Sequence, residues 1–135
     1  MRVSARDLLE HRMPSEIASL MSWTFAEEIP IPDDVSLILL QNEVPKAAYK
    51  AARDSAIFTN LRIIFRDAQG LRGKKVEIYS LPFSSINMWS SENMGVLDSD
   101  SEIELWTRSG NIKIKLGRGI DIRQLDNHIT AGVCR

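Results

Sequence analysis

Residues 44–133 read as seven short β-strands followed by one amphipathic helix, and that order limits the folds open to the chain. Strand patterns run over 49–53, 56–65 (two strands around a turn), 74–81, 86–91, 102–108 and 112–116; the helix runs over 121–133. A strand block whose only strong helix comes last can be plugged at one end by that helix, each apolar face covering the other. The expectation is a mainly β, α+β domain: a bent sheet closed off by its C-terminal helix.

The sharpest local pattern is a hairpin. Glu102-Ile-Glu-Leu-Trp-Thr-Arg108 and Ile112-Lys-Ile-Lys-Leu116 both alternate polar with apolar, as half-buried strands do. Ser109-Gly110 lies between them as a two-residue loop with a glycine available for positive φ. Pairing Arg108 with Asn111 puts Leu105 opposite Ile114 and Ile103 opposite Leu116 on the inner face. Outside, Glu104 then faces Lys115 and Trp106 faces Lys113, pairs that favour this register. A second tight turn is expected at Thr59-Asn60, where Asn tolerates left-handed φ and Thr bonds back to the backbone. Leu81-Pro82-Phe83-Ser84-Ser85-Ile86 breaks the strand that begins at Lys74. The helix opens with Gly119 and a capping Asp121, and Ile122, Leu125, Ile129 and Val133 form its buried stripe, with His128 at the flank.

Residues 1–43 read differently, as a helical arm preceding a domain at 44–135. Ser4-Ala5-Arg6-Asp7 fits a capping box ahead of Leu8-Leu9. Ser15 caps a second helix with Ile17, Leu20, Met21 and Thr24 at helical spacing, ended by Pro30 and Pro32. Asp33 or Asp34 starts a third, short helix through Leu40. Trp23 and Phe25 sit near the end of the second helix; they serve either the chain's own core or, as the candidate oligomer interface, a neighbouring subunit.

Several stretches, in order, resemble the bacterial pleckstrin-homology-like domain family, in its subgroup of short single-domain proteins. They are Ala48-Tyr49-Lys50, Arg53-Asp54, Ile57-Phe58-Thr59-Asn60-Leu61-Arg62, Gln69-Gly70-Leu71-Arg72-Gly73-Lys74-Lys75-Val76-Glu77, Leu81-Pro82-Phe83-Ser84-Ser85-Ile86, Leu97-Asp98-Ser99-Asp100-Ser101-Glu102 and Gly119-Ile120-Asp121-Ile122. The resemblance covers about residues 44–133; Phe83 stands where the family often has Tyr. It implies a PH-like barrel of two near-orthogonal antiparallel sheets, seven strands in all, capped by the C-terminal helix. It also implies no known catalysis and a tendency toward ring-like homo-oligomers.

Other residues bound the chemistry. A net charge of −1 disfavours wholesale nucleic-acid binding, which needs excess Lys and Arg. The N-terminus carries acids early and lacks the apolar run of a signal peptide, no stretch reaches membrane-span length, and the lone Cys134 forms no internal disulfide; the expected setting is cytoplasmic. His11 and His128 fall in different helical segments without zinc-ligand spacing, and no Ser elbow or phosphate loop is present. Asp98-Ser-Asp100-Ser-Glu102 begins like a calcium loop, but Ile103 and Ser109 occupy the positions that require Gly and Glu. Arg53-Asp54-Ser55 is too short a connection to wall an inositol-phosphate pocket. The nearest basic cluster is Arg72, Lys74 and Lys75, with Arg62 and Arg66 close in sequence; it is the candidate anionic-ligand patch, each charge near an anionic membrane contributing about 1 kcal/mol. The reading is a non-enzymatic interaction module, a homo-oligomer with protein partners and no cofactor or metal; the alternative is peripheral binding to anionic lipid through the basic hairpin.

Overall fold

The computed structural model describes residues 22–69, 75–92 and 101–135. Eight strands form one hydrogen-bonded sheet: β1 (Ser22–Ile29), β2 (Pro45–Ala51), β3 (Asp54–Thr59), β4 (Arg62–Gln69), β5 (Lys75–Pro82), β6 (Ile86–Glu92), β7 (Ser101–Thr107) and β8 (Gly110–Leu116), followed by the helix α1 (Ile122–Val133). Their order across the sheet is β5-β4-β3-β2-β1-β8-β7-β6. Neighbours are antiparallel except β1 and β8, which run parallel. The expected pair of separate sheets with seven strands is therefore corrected to one mixed, open sheet of eight. The eighth strand, β1, bridges the two halves that the sequence reading left apart.

That strand overturns the arm assigned to residues 22–43. Trp23 and Phe25 are two apart and both buried, at 2% and 0% exposure, with Thr24 exposed between them. A period of two with large aromatics suits a strand. The helical spacing of Ile17, Leu20, Met21 and Thr24 competed with it, and the structure resolves the competition at Ser22 in favour of the strand. A boundary at 43/44 cuts through the sheet. Pro30 and Pro32 end β1 rather than a helix. The third helix is a single 3₁₀ turn, Asp33–Leu37. The helices expected within residues 1–21 lie outside the described residues.

The core has two parts, one on each face of β2–β4. Inside the curve of the sheet, Phe25 stacks on Tyr49 at 5.3 Å, and Phe58 meets both edge-on. Trp23 packs on Phe65, with centroids 4.8 Å apart. Ile103, Leu105 and Ile114 complete this side, and α1 covers it with Ile122, Leu125 and Ile129. Asp121 caps α1 as expected, its Oδ1 accepting from the N–H groups of Arg123 (3.0 Å) and Gln124 (3.4 Å). Near the other end of α1, Gly132 has the Phe83 ring where a β-carbon would stand, so the helix backbone and the Phe83–Ser85 turn are in direct contact. On the outer face Val35 packs on Ala48, Ile57 and Ile64. Burial on both faces explains why β3 reads as a continuous apolar run instead of alternating.

Both turns differ from expectation in register. The β7–β8 turn is Arg108-Ser109, with Thr107 opposite Gly110, so Leu105 faces Ile112, Ile103 faces Ile114, Glu104 faces Lys113 and Trp106 faces Asn111. Gly110 takes φ 124°, a region that favours glycine, but as the first residue of β8. Thr107 Oγ1 accepts from Ser109 N–H (3.1 Å) and donates to the Gly110 carbonyl (2.7 Å), which holds the tighter turn. Partners move by two residues, so every side chain keeps its face. The β3–β4 turn is centred on Asn60-Leu61, one residue later than expected, and Asn60 is not left-handed. Thr59 does bond back: its Oγ1 accepts from Leu61 and Arg62 N–H, each at 3.0 Å.

Candidate interaction surface

Among the described residues β5 has only β4 beside it and β6 has only β7, so each presents one unpaired edge. Along β5, Tyr79 and Leu81 turn toward the core and are half-buried. Val76 and Ile78 turn the other way and are 49% and 48% exposed. The 3₁₀ turn stands beside them and holds Leu37 out at 85% exposure. A groove of about 250 Å³ runs between Val35, Leu37 and Ile38 on one side and Val76 and Ile78 on the other, with Asp34 and Arg66 in its wall. The outer edge, β6, is more polar: Met88 is its exposed apolar residue, and Trp89 is half-buried with its indole N–H donating to Asp126 Oδ1 of α1 at 2.9 Å.

On one side of the groove the loop over residues 38–44 is clamped. Glu43 is buried, and the Arg62 guanidinium grips it with two hydrogen bonds, at 2.8 and 2.9 Å. Thr59 Oγ1 donates to the same carboxylate at 2.7 Å and Leu40 N–H at 3.1 Å. Burial alone would raise the Glu43 carboxyl; the hydrogen bonds from Arg62, Thr59 and Leu40 outweigh it and hold the group below its ordinary value. Arg62 also donates to the Ile38 carbonyl (2.8 Å) and Ser80 Oγ (2.9 Å).

This clamp changes the basic patch. Arg62 is engaged with Glu43, and Arg66 makes a two-pronged pair with Asp34 at 3.0 and 3.1 Å. Lys75 is exposed at the start of β5; Arg72 and Lys74 lie outside the described residues. The two arginines are thus each engaged by a carboxylate of the same chain, and Lys75 is the one member of the candidate trio that the structure places. Arg53 is likewise engaged: it lies 4.0 Å above the Trp23 ring, donates to the Ser22 carbonyl at 2.9 Å and sits 3.7 Å from Asp67. Trp23 and Phe25, the candidate oligomer interface, are placed in the chain's own core.

Trp23 Nε1 and two further polar groups in the inner core stand apart from this network. The Tyr49 hydroxyl and His128 Nε2 are buried with no hydrogen-bond partner among the described residues. Burial pushes the Tyr49 hydroxyl well above its ordinary value, with the Glu28 and Asp121 carboxylates adding to the shift. Burial pushes His128 down; Glu28 opposes that and Lys46 reinforces it. His128 packs 6.3 Å from the Phe58 ring. Asp98 and Asp100 lie outside the described residues, while Glu102 sits opposite Lys115 in the ladder. The exposed apolar face of β5 was not singled out from sequence; the available signal was Val76 and Ile78 on the same side of a strand bracketed by Lys75 and Pro82.

A sequence profile described as Bacterial PH domain matches residues 16–133. Two similar proteins come from Bacillus subtilis (strain 168). The uncharacterized protein YjqA is 42% identical over 76 residues, 56% of this chain and 61% of that protein, so the match spans less than two thirds of it. The uncharacterized protein YozO is 30% identical over 97 residues, 72% of this chain and 84% of that protein. Among solved structures, a protein with a pleckstrin-homology domain from Shewanella loihica PV-4 superposes with a TM-score of 0.73 at 30% identity, covering 82% of this chain and 98% of that one. A pleckstrin homology domain from Shewanella amazonensis SB2B gives 0.59 at 35% identity, covering 74% and 82%.

Proposed function

The chain belongs to the bacterial PH domain family, and from that premise we propose that it is a non-enzymatic interaction module that assembles with copies of itself through the edges of its sheet and binds protein partners. The observation that carries this reading is the open sheet: among the described residues β5 and β6 each lack a second neighbour. Unpaired strand edges are templates for pairing with another chain. Contact of one edge with the other on the next copy gives a ring where the rotation closes. No helix among the described residues is long and apolar enough to cross a membrane, which fits a cytoplasmic setting. With Trp23 and Phe25 buried in the chain's own core, this reading puts the proposed interface on the edges instead of the arm. Light scattering on the full chain at 5–100 μM tests the proposal, concentrations chosen to span roughly the micromolar affinities of weak assemblies. A mass that is a multiple of the chain mass is expected; a strict monomer across that range overturns it.

A further inference from the structure

We propose that α1 is an acid-released cover: protonation of the His128 ring loosens the helix from the aromatic floor of the core while the sheet beneath it stays paired. Among the described residues no backbone hydrogen bond joins α1 to a strand. The helix is held by Ile122, Leu125 and Ile129 in the core and by side-chain bonds at two points. These are the Trp89 indole to Asp126 (2.9 Å) and, just past the helix end, Arg135 to the Asn60 carbonyl (3.0 Å). An element held in this way can open without breaking the β ladder, and such sub-global openings lie below global unfolding in free energy.

His128 puts a titratable ring into this contact. The ring lies 6.3 Å from Phe58, which in turn meets Tyr49 edge-on. Its Nε2 is buried with no hydrogen-bond partner among the described residues. The neutral ring leaves one nitrogen unsatisfied; the charged ring leaves a buried cationic donor unsatisfied, which costs more. Water satisfies that donor once the helix lifts, so acid favours the lifted form. The charges that act on the ring come from two strands. Glu28 of β1 favours the charged form and Lys46 of β2 opposes it, and both side chains are exposed. On the helix itself, Asp121 is taken by the capping N–H groups and Asp126 by the Trp89 indole. The Tyr49 hydroxyl, buried and likewise unpartnered, stays protonated wherever histidine titrates. The seated helix therefore gives an imidazolium attraction from Glu28 at a distance and no bonded carboxylate.

Hydrogen exchange on the full chain between about pH 7.5 and 5, corrected for the intrinsic rate, tests this, with circular dichroism to check that each variant is folded. At the upper pH the α1 amides should exchange through an opening of their own, with less protection than the slowest amides of β3. Toward the lower pH that protection should fall about three- to tenfold, and His128→Gln should abolish the fall. Glu28→Gln, on an exposed site, should deepen the fall, because it removes the carboxylate that favours the charged ring under the seated helix. Lys46→Gln, also exposed, should shrink it. Helix amides as protected as those of β3 would mean that α1 leaves only when the whole domain unfolds, and the cover is overturned. Protection that does not change with pH overturns it as well. A fall that persists in His128→Gln, or that both surface variants move in the same direction, assigns the proton to another group and rejects His128 as the trigger.

Discussion

β1 and β5 are both eight residues long and both carry large apolar side chains at a period of two. In β1 the alternating pair, Trp23 and Phe25, faces the core, and the strand has β2 on one side and β8 on the other. In β5 the pair Val76 and Ile78 faces away from the core, and the strand has one neighbour among the described residues. The same local pattern therefore makes the seam of the sheet in one place and its rim in another. What separates them is position in the sheet, which the neighbouring strands decide. Pattern says which residues share a face; topology says whether anything covers that face.

The seam should be the more fragile of the two. Removing residues 1–32 deletes β1 whole, exposes the parallel edge of β8 and leaves β2 with β3 as its one neighbour. The expected result is loss of cooperative unfolding in a thermal melt, compared with removal of residues 1–21, which spares β1. A normal melt for the longer deletion would show that β1 is dispensable. Phe25→Ala is the next step down. It empties a fully buried site between Tyr49 and Phe58, and should cost about 3–5 kcal/mol in urea denaturation.

The rim depends on the clamp behind it. Arg62→Ala leaves the Glu43 carboxylate buried with only Thr59 and Leu40 as donors, which should destabilise by roughly 3 kcal/mol. The same loss, approached through pH, has a definite sign. Glu43 is held below its ordinary value in the fold, so its contribution is complete above the unfolded value near pH 4.5 and disappears as pH falls through the depressed folded value. His128 is held below 6.5, so unfolded chains bind its proton first, and stability declines as pH falls from about 6.5 toward that lower value. The melting temperature should fall in two stages on acidification. His128→Gln should remove the upper stage and spare the lower; an unchanged upper stage would assign it to another group.

How much of this was readable from the chain follows the same division. α1 was legible from Asp121 through Val133 because capping and a helical stripe are local signals. The β7–β8 hairpin was legible in its faces but not in its register. Alternation fixes only parity, and the turn was decided by Thr107, whose side chain ties Ser109 and Gly110 together. β1 was misread because its partners, β2 and β8, lie about 20 and 90 residues away, and nothing local announces them. The Glu43–Arg62 clamp spans 19 residues and left no motif. Val76 and Ile78 were legible as one side of β5, but their exposure was not, for a related reason: exposure is a property of the sheet edge.

The smallest expected effect is also the most discriminating. Ile78→Ser changes a side chain on the same period as Phe25, yet it removes contacts only from a groove wall that is already about half open to water. Transfer of an exposed aliphatic contributes little to folding, so under dilute, monomeric conditions the change in unfolding free energy should stay within about 0.5 kcal/mol. A loss near that of Phe25→Ala would mean that something covers Ile78 in the folded monomer, and β5 would then have to be counted with the seam. A loss within the expected margin, together with a fall in assembled mass at higher concentration, would separate what the two strands do: one holds the fold, the other has its apolar face available to a partner.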